Sequence, residues 1–572
     1  NEGSLNFQTM EWIQGAASSS DPFLNYSGLL NVGGATFRQD FKQTKTSLRD
    51  DYTYFTEWHG SHTMKAGLLV NLMKYDATHA AFFNPEFDFS PDQNWQYPFK
   101  AWYGFGDPVN KYDNNQYGLY AQDDWKVASN LTVNAGIRWD YETNGLNNKW
   151  VTPASVVSAL QNTCRTFSQP VGGKTTWCDT DIFNINDYIS TGNNRKSYTK
   201  EFQPRLGFSW DVNGNGRTVV HGGWGLYYDR VPLNDMYDEE WKNTWGQYVF
   251  CFTNDPSQVG TINPNCSAVP QILWNPSYQS AAGLAGLIAS GAVQGHEINL
   301  LANNTHVPRS TQWNIGARQQ FGDWIGGLTY SNVRGANGMV WSFGTLPPGT
   351  TFAQRWGNSV GLNGYGFVMR SFDTRRTWYD GVMLTLDKPY TTDSRWGFDF
   401  AYTYTDAKQS ASTDEGVAFA FDSLPPEFST FRNIEAEKHK IIMNGTVGLG
   451  AGVTVSSIIT LSSGHPLYVF DCRVPQGCDA AVPSAFDPPK QVFLGIKQFA
   501  YRSVDLRAEW DPSVGGGFHL GIIGEAFNIF NYSNNTNFDT WAGDLANPNP
   551  NFLKPSAQYN TRRFQLGVKV NF

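Results

Sequence analysis

Leu131-Thr-Val-Asn-Ala-Gly-Ile-Arg-Trp-Asp-Tyr-Glu142 decides the fold. Its odd positions, Leu131, Val133, Ala135, Ile137, Trp139 and Tyr141, are apolar, while Thr132, Asn134, Gly136, Arg138, Asp140 and Glu142 are polar or glycine. Side chains alternate between the two faces of a strand, so this segment has one apolar face and one charged face along its whole length. Soluble strands average about five to six residues, whereas about nine to eleven tilted residues cross a bilayer. The length therefore favours a strand that crosses a membrane.

The same period recurs outward from there. Phe202, Pro204, Leu206, Phe208 and Trp210 alternate with Gln203, Arg205, Gly207, Ser209 and Asp211; Val504, Leu506, Ala508 and Trp510 alternate with Ser503, Asp505, Arg507 and Glu509. The chain closes with Phe564, Leu566, Val568, Val570 and Phe572 against Gln565, Gly567, Lys569 and Asn571. Strands are predicted at 43–56, 62–78, 113–127, 130–142, 200–211, 217–230, 307–320, 323–334, 374–388, 394–407, 436–447, 452–462, 499–510, 516–530 and 560–572, with two more near 3–10 and 24–32. Tight turns such as Asn213-Gly-Asn-Gly216 and Gly322-Asp323 alternate with long connections, including 143–199, 231–306 and 463–498. That asymmetry, with tryptophan and tyrosine near strand ends, is the pattern of a transmembrane β-barrel with periplasmic turns and extracellular loops. Pro153–Leu160 and Ala281–Ala292 are predicted as short helices within the loops.

Composition excludes the alternatives. Among 572 residues, aromatics are 15% and charged residues 16%, against about 25% charged in an ordinary soluble domain. Mean hydropathy is −0.43, and no apolar run reaches the ~18 residues of a membrane helix. Disorder is incompatible with so many rings. A net charge of −9 with no basic cluster argues against nucleic acid. Asn1-Glu-Gly-Ser4 has no charged or apolar leader segment, which reads as a mature or truncated start.

The six cysteines fall into neighbouring pairs, Cys164 with Cys178, Cys251 with Cys266 and Cys472 with Cys478, each inside one long loop. No ligand-spaced histidine accompanies them, which favours three local disulfides in an oxidising compartment over zinc or free buried thiols. Other motifs are chance matches. Gly357-Asn-Ser-Val-Gly361 lacks the strand and helix of a nucleophile elbow. Asp211-Val-Asn-Gly-Asn-Gly216 begins like a calcium loop but carries Gly222 where a glutamate belongs. No catalytic residue, cofactor or metal centre is predicted.

Tyr117-Gly-Leu-Tyr-Ala-Gln-Asp-Asp-Trp125 followed by Leu131–Tyr141 resembles paired strands of TonB-dependent outer-membrane receptors. Glu525-Ala-Phe-Asn-Ile-Phe-Asn531 is similar to their penultimate strand, and Arg563–Phe572 to their closing strand. Leu48-Arg-Asp-Asp-Tyr-Thr-Tyr54 with Gly60-Ser-His-Thr-Met-Lys-Ala-Gly67 resembles the Oar-like branch. The resemblance implies a barrel of ~22 strands, a plug coupled to the TonB complex, and a C-terminal Phe572 read by barrel-assembly machinery. About 15 to 17 strands are legible in 1–572, so the expectation is one incomplete barrel domain without its plug and first strands.

Two groups of residues are candidates for function. Arg138, Asp140, Arg205, Asp505, Arg507, Glu509 and Lys569 would line the lumen, either meeting substrate or merely solvating the wall. Trp241, Trp245, Tyr248 and Phe250 would form an aromatic surface over an extracellular ligand, or pack among themselves. The leading function is energised nutrient import through the outer membrane. A structural, adhesive or secretion barrel and a soluble carbohydrate-binding β protein are the alternatives.

Overall fold

The computed structural model describes the chain apart from residues 16–19, 264, 265, 267, 268, 344, 346, 348–361, 411–417, 420–429, 433–435, 465, 468, 469, 473–491, 494–499, 513–518, 545, 546 and 572. One sheet of 19 strands dominates. Three are short additions, Ile298–Leu300, Ala418–Phe419 and Thr430–Arg432. The other sixteen build a wall: β1 (Glu2–Gln14), β2 (Phe37–Glu57), β3 (Ser61–Ala81), β4 (Val109–Ala128), β5 (Leu131–Glu142), β6 (Glu201–Asp211), β7 (Thr218–Tyr228), β8 (Arg309–Phe321), β9 (Trp324–Phe343), β10 (Val368–Lys388), β11 (Trp396–Ser410), β12 (His439–Gly450), β13 (Val453–Ser462), β14 (Tyr501–Trp510), β15 (His519–Phe527) and β16 (Arg563–Asn571).

Each wall strand pairs antiparallel with the next in sequence, from β1 on β2 to β15 on β16. Among the described residues no register joins β1 to β16, so each of these two strands keeps one unpaired edge. Connections at 58–60, 129–130, 212–217, 322–323, 389–395 and 451–452 are short and lie at one end; the long connections made of described residues, such as 82–108 and 143–200, lie at the other. The turn after β6 shows why it is tight. Gly214 and Gly216 take φ of 68° and 73°, a region that glycine enters at little cost, and the Gly216 N–H donates to the Asp211 carboxylate at 2.6 Å. The calcium-like motif is a hairpin turn.

Alternation assigns the faces. Leu206, Phe208 and Trp210 of β6 stand beside Ala135, Val133 and Leu131 of β5, and Trp313 and Ile315 of β8 continue the same surface. Leu206, Phe208, Trp210, Trp313 and Ile315 are exposed, Leu206 by 56%, as lipid-facing residues of a barrel must be. The opposite face carries the charges.

All fifteen predicted wall strands are present, with most ends shifted by a few residues and the largest extension carrying β9 to Phe343 where 334 was expected. The segment near 3–10 is β1, which makes sixteen. The segment near 24–32 is not a wall strand: Phe23–Tyr26 and Leu30–Val32 are too short to cross a bilayer and pair instead with each other and with Glu86–Phe89. The helices predicted at 153–160 and 281–292 are α1 (Ala154–Asn162) and α3 (Ala281–Ala289). A third, α2 (Leu233–Thr244), lies where the sequence reading had only loop.

Candidate functional site

The inner face of the wall is a set of charge pairs, some along one strand and some between neighbouring strands. On β5, Arg138 grips Asp140 at two points, 2.8 and 2.6 Å, and the Gln203 amide of β6 donates to the same carboxylate at 2.5 Å. Arg205 lies over the ring of Tyr227 at 4.5 Å. Across β14 and β15, Arg507 binds Glu509 and Glu525, both at 2.8 Å. Asp505 accepts from Ser503 at 2.8 Å and from the Asn528 N–H at 2.7 Å. Lys569 shares the inward parity of Gln565 and Gly567 on β16. The wall thus brings Arg138, Asp140 and Arg205 together and Asp505, Arg507 and Glu509 together. Their charges are largely spent on one another.

Above the wall, the long connections fold into a cap. Its sheet of six strands runs, in spatial order, Gln271–Leu273, Trp245–Thr253, Lys100–Gly106, Glu86–Phe89, Phe23–Tyr26 and Leu30–Val32. Phe87, Phe250, Phe252 and Leu284 are completely or nearly completely buried in its core. Cys164–Cys178 and Cys251–Cys266 are bonded within it, each inside one connection. The third pair, Cys472 with Cys478, falls outside the described residues. Phe572 and the segment 357–361 lie outside them too.

α2 joins cap to barrel. Pro232 precedes it, Asp235 occupies its first turn and Lys242 its last, an order of charges matched to the helix dipole. One stripe, Met236 and Glu239, faces the cap: Met236 packs with Leu146, Leu301 and Trp341, and Glu239 meets Arg195 at 2.6 and 3.0 Å. The other stripe, Leu233, Tyr237 and Trp241 at i, i+4, i+8, faces the barrel mouth. There it closes a cavity of about 800 Å³ together with Met10 and Trp12 of β1, Gln39, Phe41 and Gln43 of β2, Tyr75 and His79 of β3, Asn110 of β4, and Asp235 and Asp238 of α2. Trp12 stacks on Phe41 with ring centres 5.7 Å apart, and His79 stacks on Trp241 at 4.1 Å. Burial pushes the Asp238 carboxyl up to about 6.

The structure places the four loop rings mostly in the interior of the cap. Trp241 and Trp245 are 7% exposed and Phe250 is fully buried. Trp245 donates to the Ala81 carbonyl and Phe250 packs beside Phe252, and Tyr248 is half-buried against His296. These rings hold the cap together, because a long connection must bury apolar surface to stay folded. Only Trp241 reaches the cavity. Trp12, Phe41, Tyr75, Tyr237 and Asp238 were missed. The signal for α2 was Pro232 followed by Leu233, Tyr237 and Trp241 at helical spacing; for Trp12, it was its place on the inward parity of β1.

Residues 2–476 match the family model described as an outer membrane β-barrel domain. The chain belongs to that family. Among curated proteins, the barrel is 24% identical over 220 residues to the TonB-dependent transporter Oar of Myxococcus xanthus, a stretch covering 36% of this chain and 17% of that one. Among solved structures it is similar to the outer membrane transporter YddB of Escherichia coli, with a TM-score of 0.57 and 12% identity over 99% of this chain and 60% of that one. The chain thus spans less than two thirds of either relative. The barrel's place is the bacterial outer membrane.

Proposed function

We propose that this barrel is the membrane-spanning part of a TonB-dependent transporter, which takes up a nutrient ligand captured at the extracellular mouth. The cavity between α2 and the wall carries this reading, since it places a ligand-sized, partly aromatic space over a charged lumen. The similarity to Oar supports the TonB coupling. On this reading ligand bound under the cap shifts a plug toward the state that TonB engages, and no bond is made or broken in the barrel.

The unpaired edges of β1 and β16 bear on the domain as well. Open sheet edges are not tolerated in hydrocarbon, where each unsatisfied backbone group costs several kcal/mol. We infer that further strands pair with both edges and bring the wall to the ~22 strands of plugged transporters. Phe572 would serve barrel assembly, and lipid would cover the outer face. Cells carrying the full-length gene should deplete one class of compound from a defined medium when TonB is active and fail to do so when TonB is deleted. Equal depletion in the two strains would make it a passive port.

A further inference from the structure

We propose that the cavity under α2 is a binding site for an organic cation, an amine or guanidinium on a ligand with apolar groups, held between aromatic rings and the Asp238 carboxylate. The inference rests on the import reading and names the chemistry that the site selects.

Rings from four elements line the space, Trp12, Phe41, Tyr75, His79, Tyr237 and Trp241, the last already stacked on His79 at 4.1 Å, which leaves Trp12, Phe41 and Tyr75 for a ligand. Aromatic faces attract cations within about 6 Å, most strongly where water is excluded. Asp238 faces the same space from α2, and no hydrogen bond engages its carboxylate among the described residues. The Asp238 carboxylate only accepts hydrogen bonds and so asks for a donor.

The charge balance selects the sign. Lys42, Glu11 and Asp76 also border the cavity, but they occupy the outward parity of β2, β1 and β3, beside one another in register, so their side chains turn away. Lys242, one turn from Asp238 on α2, is held by Glu297 at 3.2 Å. The inward lining is then rings, the carboxamides of Gln39, Gln43 and Asn110, and the carboxylates Asp235 and Asp238. An anionic ligand would meet the Asp238 carboxylate, and the cation beside it, Lys242, is already held by Glu297 and lies over the Trp241 ring at 5.0 Å. A neutral sugar would satisfy the carboxamides but bring no charge to the Asp238 carboxylate, whereas a cation brings both a donor and a charge.

Full-length protein in detergent should bind the peptide amide Lys-Trp-Lys, read by calorimetry, and bind maltohexaose and ferric citrate at least about tenfold more weakly, the discrimination of a single charge pair. Asp238→Asn keeps the shape and removes the charge. It should weaken the peptide at least about tenfold, the loss of a partly desolvated charge pair. Trp12→Leu, at a half-exposed position, should weaken it as well. Heat-modifiable gel migration shows that each variant is folded. Tightest binding of maltohexaose, or peptide binding unchanged in Asp238→Asn, would overturn the inference. Because the assay needs no TonB, absent peptide binding alongside TonB-dependent uptake sinks only this inference, and peptide binding alongside TonB-independent uptake sinks only the import reading.

Discussion

Arg195 and Glu239 form a two-point ion pair with both side chains shut away from solvent, 0% and 1% exposed. Arg195 also donates to the Leu301 carbonyl and to Asn303, and Glu239 accepts from the Leu301 N–H. Three separate stretches of the cap, around 195, 239 and 301, therefore meet at one pair. Burial still wins on the acid: the Glu239 carboxyl is held above the usual carboxylate range despite the guanidinium. Removing one partner of such a pair costs about 3–5 kcal/mol, because the other is left buried and uncompensated. Arg195→Met should open the cap to protease in intact cells while the barrel keeps its heat-modifiable migration. A cap as resistant as the parent's would show that the pair does not hold it.

The disulfides give a second check. Cys251 and Cys266 are 15 residues apart, and closing a loop of that size contributes about 3 kcal/mol. Digestion without reductant should yield peptides joining Cys164 to Cys178 and Cys251 to Cys266, with none joining the two connections. Cys251→Ser with Cys266→Ser should lower the thermal midpoint of the cap and leave barrel insertion intact.

Topology predicts labelling. Asn215 lies in the tight turn between β6 and β7, and Gln258 lies exposed in the cap. In whole cells an impermeant maleimide should modify Gln258→Cys and miss Asn215→Cys until the outer membrane is permeabilised. The opposite result would invert the barrel.

The two faces of β6 respond differently to charge. Leu206→Arg places a cation in lipid and should destabilise folding into vesicles by about 2–4 kcal/mol if it lies near the midplane. Ser209→Arg, on the lumen parity, should cost far less. Urea titration of the two variants measures the difference.

How much of this was legible in sequence divides by physics. Wall strands announce themselves, because lipid on one side and water on the other force strict alternation, as in Leu131–Glu142 and Val504–Trp510. Strand ends above the membrane lose that contrast, so β2 and β3 run further than their alternation suggested, to Phe37 and Ala81. The cap has no such environment. Its short strands pair across distant segments, as Lys100–Cys251 and Phe23–Glu86 do, and local periodicity carries no trace of such partners. Trp245 and Phe250 looked like ligand surface for that reason, since a ring that packs and a ring that binds are the same letter. The cavity was hidden because it needs β1, β2, β3, β4 and α2 at once.

Acidity should act on α2 in a defined direction. Asp238 has its carboxyl raised to about 6 by burial, with Lys242 opposing and Glu297 reinforcing the shift; Asp235, Tyr237 and Trp241 are its other neighbours around the cavity. A raised acid binds its proton more tightly folded than unfolded, so its contribution favours the folded helix at low pH and is lost as pH rises through about 6. Glu239 and Glu240 are raised in the same sense. Amide hydrogen exchange along Leu233–Thr244 should therefore be slower at acid pH than at neutral pH after correction for intrinsic rates. Asp238→Asn should remove part of that difference.

Compound depletion by living cells tests the import reading most directly. The full-length gene is expressed in strains with and without TonB, and the medium is profiled for what disappears. The account predicts selective loss of one ligand class that requires both the gene and TonB. Depletion that persists without TonB, or that does not depend on the gene, would contradict it.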